Sequence, residues 1–215
     1  MLLFLLRGKM KPIVIAICGK SASGKNYTQN QIVKYYQSKN IPVNKVVSYT
    51  TRPPRVEEVD GEDYHFINSM EFMQRKYSQE FLEYAEFRDW YYGTSVNSFK
   101  DNSVNVCVLN PQGIHSLSLY ERRYTIIYVY LDTPFITRMI RSYKREHKFK
   151  FEYLRRAWTD YNDFCGKDYF ETWFGLGVRH CDNYLWIETK KSKNPVCKIV
   201  NNVYVEYCVN TLMGK

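Results

Sequence analysis

A glycine-rich loop between a buried strand and a helix is the feature that most constrains this chain. Residues 13–18, IVIAIC, form an unbroken apolar run that is typical of a parallel strand buried on both faces. The loop 19–25, GKSASGK, follows at once and matches G-x-x-x-x-G-K, and residues 27–36 then place apolar side chains at helical spacing. In this order of elements, backbone N–H groups converge on phosphate oxygens and the lysine adds a positive charge. The sequence therefore predicts a phosphate-binding loop rather than a glycine turn with a surface lysine.

The residue after this loop departs from the motif. The motif carries Ser or Thr there, whose hydroxyl binds Mg²⁺, but this chain has Asn26. Thr28 does not replace it easily, because two helical steps turn a side chain about 200° away. An amide oxygen can still bind Mg²⁺ directly or through water, so we predict a weakened metal site at Asn26.

Length and composition favour one folded α/β domain. The chain has 215 residues, of which 45% are hydrophobic and 17% aromatic, which is enough for a sizeable core and excludes disorder. The apolar run at residues 2–6 is too short to span a bilayer or to form a signal peptide. We expect residues 1–9 to be a disordered or upstream-start extension of a domain that covers 10–215.

The cysteines predict a reducing environment. None of the six is part of a C-x-x-C pair, and His180, Cys181 and Cys197 do not have the spacing of a standard zinc site. The expected location is therefore the cytoplasm.

Positive charge is concentrated in one segment. The formal net charge is +9, and residues 138–156 carry eight Lys or Arg against Glu146 and Glu152. Such a run usually marks a solvated helical face. Beside a phosphate-binding loop, arginines that bind small anionic substrates explain it better, so neither a nucleic-acid nor a membrane partner is expected.

The rest of the pattern alternates buried strands with helices. We predict a turn at 91–93 and a strand running into a helix over 198–213, whereas 165–195 shows no clear pattern. The other predicted strands are 43–49, 64–67, 81–87, 104–109 and 125–131, and the other predicted helices are 69–76, with Ser69 as its N-cap, 112–120, 152–163 and one from 134 onward. This order predicts a parallel sheet covered by helices on both faces.

Two segments after the first helix resemble the guanylate kinases, a family of P-loop nucleoside monophosphate kinases. Residues 48–66, SYTTRPPRVEEVDGEDYHF, are similar to the family's acceptor-binding segment, and so are 81–87, FLEYAEF, and 91–94, YYGT. The resemblance covers about residues 13–164. It implies a P-loop NTPase-type parallel sheet covered by helices (about 10–47, 97–137 and 157–215), a small mixed α/β acceptor-binding lobe (about 48–96), a helical lid (about 138–156) and a family-atypical insertion (about 165–195).

The resemblance implies ATP-dependent phosphorylation of a nucleoside monophosphate, GMP or dGMP above all, with ATP as phosphoryl donor and Mg²⁺ as cofactor. Lys25 and the lid arginines would neutralise the transferred phosphoryl group, and no general base is required because the attacking group is an ionised phosphate. The lid arginines are Arg141, Arg145 and Arg156. The residues assigned to the ATP phosphates are Gly19, Ser21, Ser23, Gly24, Lys25 and Asn26.

The acceptor site follows from the same resemblance. Arg52 and Arg55 lie three residues apart after a turn, so both guanidinium groups can face one phosphate. Glu83 would accept hydrogen bonds from guanine N1–H and N2–H₂, whereas adenine presents an acceptor at N1. The other residues implied in acceptor binding are Ser48, Tyr64, Tyr92, Thr94 and Asn110.

Two positions depart from the family pattern, and two alternatives stay open. The family usually carries Asp-x-Asp where this chain has Val108 and Asn110. Asn110 can still bind a base edge, but Val108 is expected to leave an acceptor-site arginine without its carboxylate partner. One alternative is a non-catalytic guanylate-kinase-like interaction module, and the other is a P-loop kinase with an altered small phosphorylated acceptor.

Overall fold

The computed structural model describes most of the chain apart from its start and the stretch after residue 146. The described residues are 11–87, 89–146, 158, 160, 161, 164, 183–190 and 194–214, without the side chains of residues 87, 145 and 146. The strands are β1 (Ile13–Cys18), β2 (Val43–Lys45), β3 (Tyr49–Thr50), β4 (His65–Phe66), β5 (Phe81–Phe87), β6 (Trp90–Ser95), β7 (Val104–Val108), β8 (Thr125–Asp132) and β9 (Tyr184–Glu188). The α-helices are α1 (Lys25–Ser38), α2 (Ser69–Tyr77), α3 (Pro111–Ser118), α4 (Phe135–Glu146), α5 (Pro195–Val200) and α6 (Val203–Leu212).

A five-stranded parallel sheet forms the centre of the molecule. Its strand order is β2-β7-β1-β8-β9, and each pair of neighbours is parallel. All six residues of β1 are buried, because the strand lies in the middle of the sheet and is covered on both faces. This explains why its sequence is continuously apolar instead of alternating. The predicted parallel sheet is confirmed.

The core forms two layers, one on each face of this sheet. Ile13, Ile15 and Ile17 of β1 point to the layer that α1, α5 and α6 complete. Val14 and Ala16 point to the opposite layer, into which α3 packs. Neighbouring residues of a strand face opposite sides, so one six-residue strand supplies both layers.

A second, four-stranded sheet forms a small lobe. Its order is β4-β3-β6-β5, with antiparallel pairs except β3 with β4. Phe72 of α2 is fully buried against this sheet and stacks on Phe81 and Tyr91, with ring centroids 4.5 and 5.3 Å away. Gly93 permits this close packing, since a Cβ there would lie 3.0 Å from Phe81 Cδ1. The lobe is mixed α/β, as the resemblance implied.

Several predicted elements are wrong in detail. Residues 43–49 were predicted as one strand, but β2 joins the large sheet and β3 joins the small one, so the chain crosses between the sheets at 46–48. Residues 91–93 were predicted as a turn, but they lie inside β6, where they pair with both β5 and β3. Tyr91 and Tyr92 favour a strand, and pairing on both sides of β6 outweighs the local turn signal of Gly93.

The chain's last described segment also differs from the prediction. Residues 198–213 were predicted as a strand running into a helix, but α5 and α6 are two helices. Asn202 separates them and caps α6 by accepting hydrogen bonds from the N–H groups of Tyr204 and Val205. Asn68, not Ser69, caps α2 in the same way.

The stretch 165–195 contains part of the main sheet. Within it, β9 pairs in parallel with β8 at the edge of that sheet. Most of the predicted helix 152–163, and residues 1–9, lie outside the described residues. Among the helices that the structure describes, none has the length and apolar character that crossing a membrane requires.

Candidate active site

One cavity of about 800 Å³ lies between the phosphate-binding loop and the small lobe. It opens at the carboxyl ends of β1 and β7, the edge of a parallel sheet where ligands usually bind. Its lining includes the predicted residues Gly19, Ser21, Lys25, Ser48, Tyr64, Glu83, Tyr92 and Asn110. The structure therefore brings predicted donor-site and acceptor-site residues to one cavity, although the predicted acceptor residues Arg52, Arg55 and Thr94 are not part of its lining.

The phosphate-binding loop joins β1 directly to α1. Gly24 has φ +100° and precedes the helix without a side-chain cap, so the first N–H groups of α1 are left to other partners. A Cβ at Gly19 would lie 2.9 Å from the carbonyl oxygen of Leu131, so this position requires glycine. Lys25 Nζ reaches back over the loop and donates to the carbonyl oxygens of Gly19 and Lys20 at 2.6 and 3.2 Å. Ser23 Oγ is buried and makes no hydrogen bond to the described residues.

Helix α4 and the residues just before it form hydrogen bonds with this loop. Arg141 Nη1 donates to the carbonyl oxygen of Ser23 at 2.8 Å, and Thr133 Oγ1 donates to the same oxygen at 3.1 Å. Arg141 therefore reaches the predicted phosphate site. The side chain of Arg145 and all of Arg156 lie outside the described residues.

Two charged residues that sequence reasoning missed also contact the loop. Arg138 and Asp160 form an ion pair at 2.8 Å, with side chains only 7% and 9% exposed. Asp160 accepts hydrogen bonds from Ser21 N and Ser21 Oγ. No local motif marks either residue, because their relation depends on contacts between distant parts of the chain.

The acceptor side is built around a buried arginine. Arg52 is 7% exposed, and its Nη2 donates to both carboxylate oxygens of Glu58 at 2.9 and 2.8 Å. Glu58 also accepts from Arg55 N at 2.8 Å, and Arg55 Nη1 lies 3.5 Å from it. The ring of Tyr64 lies 5.6 Å from the Arg52 guanidinium and 6.0 Å from the ring of Tyr92. All four predicted phosphate-binding residues are thus neighbours.

Glu58 corrects the expectation attached to Val108. Val108 lines the cavity and supplies no carboxylate, yet Glu58 contacts both Arg52 and Arg55. Burial would raise the pKa of the Glu58 carboxyl, but hydrogen bonds from Arg55 N and the Arg52 side chain lower it below its usual value. An ionised carboxylate therefore orders both arginines.

A chain of hydrogen bonds ends at Glu83. Ser48 Oγ and Thr94 Oγ1 lie 2.9 Å apart, and Thr94 Oγ1 donates to Glu83 Oε1 at 2.8 Å. Burial raises the pKa of Glu83 to about 7, although hydrogen bonds from Thr94 act in the opposite direction. Thr94 uses one carboxylate oxygen, so Glu83 keeps acceptor capacity for a ligand in the cavity.

Asn110 and Asn26 were predicted to contact the base and Mg²⁺, and the structure shows which of their groups are available. Asn110 Oδ1 accepts from Gly113 N at 2.6 Å and so caps α3, which leaves its NH₂ group as the donor for a base edge. Asn26 is exposed at the start of α1, whereas Thr28 is buried. No group of three or more His, Cys, Asp or Glu residues that could hold a metal ion occurs among the residues that the structure describes. Mg²⁺ bound to substrate phosphates needs few protein ligands, and the exposed Asn26 amide suits that role.

Comparison with known proteins gives a consistent family. The family model described as "Guanylate kinase" matches residues 9–163. Guanylate kinase from Clostridium perfringens (strain SM101 / Type A) is 37% identical over 126 residues, which cover 57% of this chain and 56% of the relative. Guanylate kinase from Thermotoga maritima is 35% identical over 130 residues, covering 58% and 59%. The protein of that name from Schizosaccharomyces pombe is 32% identical over 135 residues, covering 61% and 63%.

These matches span little more than half the length of the curated relatives. A crystal structure of guanylate kinase from Anaplasma phagocytophilum covers 95% of both chains with a TM-score of 0.55. Its sequence identity is 18%, so this likeness supports the fold alone.

Proposed function

This chain belongs to the guanylate kinase family, and on that premise we propose that it transfers the γ-phosphoryl group of ATP to GMP or dGMP. The observation that carries the proposal is the single cavity with a phosphate-binding loop at one end and the Ser48–Thr94–Glu83 hydrogen-bond chain at the other. A phosphate donor and a guanine acceptor would meet between these two ends.

The donor phosphates would bind at the loop. The N–H groups at the start of α1, the buried Ser23 hydroxyl and the ammonium group of Lys25 supply donors there. Arg141 lies close enough to the loop to neutralise charge that spreads onto the transferred phosphoryl oxygens. Asn26 would be a nearby amide ligand for Mg²⁺, which would supply further neutralising charge beside the phosphates.

The acceptor phosphate would bind beside Arg52 and Arg55, with the hydroxyl groups of Tyr64 and Tyr92 as further donors. Its ionised oxygen is itself the nucleophile, so this chain needs no general base. The protein's contribution is to hold this oxygen in line with the donor phosphate and to keep water out of the cavity.

Glu83 supports the choice of guanine. Its carboxylate can accept two adjacent N–H donors, and only guanine offers them on the edge with N1 and N2. Adenine would leave the buried carboxylate facing an acceptor, which costs about 1–3 kcal/mol or more.

A matched pair of proteins tests this assignment. The wild type should phosphorylate GMP and dGMP and reject AMP. Glu83→Gln should reduce guanine turnover and narrow the ratio of kcat/KM for GMP to that for AMP. The readout is ADP formation in a coupled assay. If Glu83→Gln keeps the wild-type ratio, then Glu83 does not read the base.

The two alternatives are weaker on this structure. A non-catalytic interaction module has no need of the close-packed Gly19 or of the lysine over the loop. A kinase for a phosphorylated sugar would leave Glu83 without a partner. A location in the cytoplasm and the absence of nucleic-acid and membrane partners remain part of the proposal. None of the four cysteines at described positions forms a disulfide, which agrees with a reducing compartment.

A further inference from the structure

The carboxylate of Asp160 lies against the phosphate-binding loop. Both of its oxygens are 3.0 Å from Ser21 N, and Oδ1 also accepts from Ser21 Oγ at 2.9 Å. These residues are 139 positions apart in the chain, so the contact joins the loop to the part of the chain that follows α4. Both Ser21 and Asp160 line the cavity.

Arg138 completes this contact from α4. Its Nη1 donates to Asp160 Oδ2 at 2.8 Å and to the carbonyl oxygen of Ser21 at 3.3 Å. Arg138 and Asp160 are both buried. Charges buried to this extent are stable only when they are paired, and here the pair shares Ser21 as a common hydrogen-bond partner.

We infer that Asp160, paired with Arg138, is a positioning residue for the ATP site, because the pair forms hydrogen bonds with the N–H, hydroxyl and carbonyl groups of Ser21. The inference rests on the proposed use of this loop for ATP. A loop fixed at Ser21 holds the backbone between residue 21 and the start of α1 in one arrangement before the nucleotide binds. The cost of ordering the loop is then met during folding instead of during binding.

The charge of Arg138 makes a carboxylate acceptable at this place. An unpaired Asp160 would repel the ATP phosphates across the cavity, whereas the pair carries no net charge. The two residues therefore have different expected effects when removed singly: loss of Asp160 frees the loop, and loss of Arg138 leaves a negative charge beside the phosphates.

Direct titration of ATP into the purified proteins tests the role of Asp160. In Asp160→Asn, the Kd for ATP should rise about ten- to a hundredfold, the loss expected for hydrogen bonds to a charged group. The Kd for GMP should change less than about twofold, since Asp160 pairs with Ser21 and Arg138 and not with the predicted acceptor residues. An equal loss for both ligands would overturn the inference.

The double variant Arg138→Leu/Asp160→Ala separates positioning from stability. Replacing both buried charges by apolar side chains should bring the unfolding midpoint close to that of the wild type. ATP affinity should stay as weak as in Asp160→Asn, because Ser21 remains unanchored. Recovery of both properties would mean that the pair only stabilises the fold. Tighter ATP binding than in the wild type would mean that Asp160 competes with phosphate for the loop. Either result would overturn the inference.

Two further variants serve as controls for the ATP and GMP titrations. Glu58→Gln removes the carboxylate beside Arg52 and should weaken GMP binding without changing the Kd for ATP. Glu71→Gln breaks a partly exposed ion pair with Arg75 on α2 and should change the Kd of neither ligand. If the wild type binds ATP but phosphorylates no monophosphate, the proposed function fails while the ATP titrations still decide the role of Asp160. If the wild type does not bind ATP, both proposals fall.

Discussion

At the scale of single residues, the proposed contact between Glu83 and guanine should depend on pH. Its raised pKa, about 7, follows from burial in the cavity wall. Below this pH the free site holds a proton on the carboxyl, and guanine must displace it in order to donate both N–H groups. We therefore expect the KM for GMP to rise about tenfold for each unit of pH below about 7, and to level off above it.

The phosphate group of GMP also titrates in this range, with a pKa of about 6, so the pH profile needs a control. Glu83→Gln retains the phosphate titration and loses that of the carboxyl. The difference between the two profiles of log KM against pH isolates Glu83. Parallel profiles would contradict the assignment.

Arg141 is expected to act mainly in the transition state. Its Nη1 is held 2.8 Å from the carbonyl oxygen of Ser23, so it already lies at the loop where charge develops during transfer. Arg141→Ala should lower kcat about a hundredfold with a smaller change in the Kd for ATP. Single-turnover kinetics and ATP titration give the two values, and a change confined to binding would make Arg141 an ordinary contact.

Individual residues also show where sequence reasoning ends. The predicted residues Arg52, Arg55, Tyr64 and Tyr92 do lie together, because a short segment and one strand carry all four. Glu58 stands in the same segment, but its pairing with Arg52 depends on how the loop folds back. Asp160 and Arg138 belong to a charged region of the sequence that gives no hint of a contact with Ser21.

At the scale of elements, strands with continuous apolar runs were predictable from the sequence. The helix boundary near the end of the chain depends on a capping residue and was not predicted. β1 was readable because both its faces are covered, so all six residues are apolar. The secondary structure of residues 198–213 was not predicted correctly, because Ile199 and Val200 favour strands locally yet are buried on helix α5. Asn202 then starts α6, and a side chain that caps a helix can end one element and begin the next within two residues.

The cap at Asn202 gives a stability prediction. Its Oδ1 accepts from the N–H groups of Tyr204 and Val205, so Asn202→Ala should lower the free energy of unfolding by about 1 kcal/mol. Asn201→Ala is the matched control, since Asn201 is exposed and caps nothing with its side chain. Denaturant unfolding of the two variants makes the comparison. Equal losses would show that Asn202 does not act as a cap.

At the scale of the whole molecule, the two sheets contribute different residues to the cavity. The parallel sheet presents the phosphate-binding loop at its carboxyl edge, and the small sheet carries Glu83 and Tyr92 on β5 and β6. The chain crosses between the sheets at 46–48, and Ser48, a proposed contact of the base, lies at that crossing. Movement of the lobe relative to the main sheet would therefore change the distance between donor and acceptor.

A competition assay tests the central claim most directly. The purified chain is incubated with ATP, Mg²⁺ and equal concentrations of GMP, dGMP, AMP and CMP, and the products are separated by anion-exchange chromatography. We predict that GDP and dGDP form first, with one ADP for each, while AMP and CMP remain. Formation of CDP first, or consumption of ATP without any diphosphate other than ADP, would contradict the account.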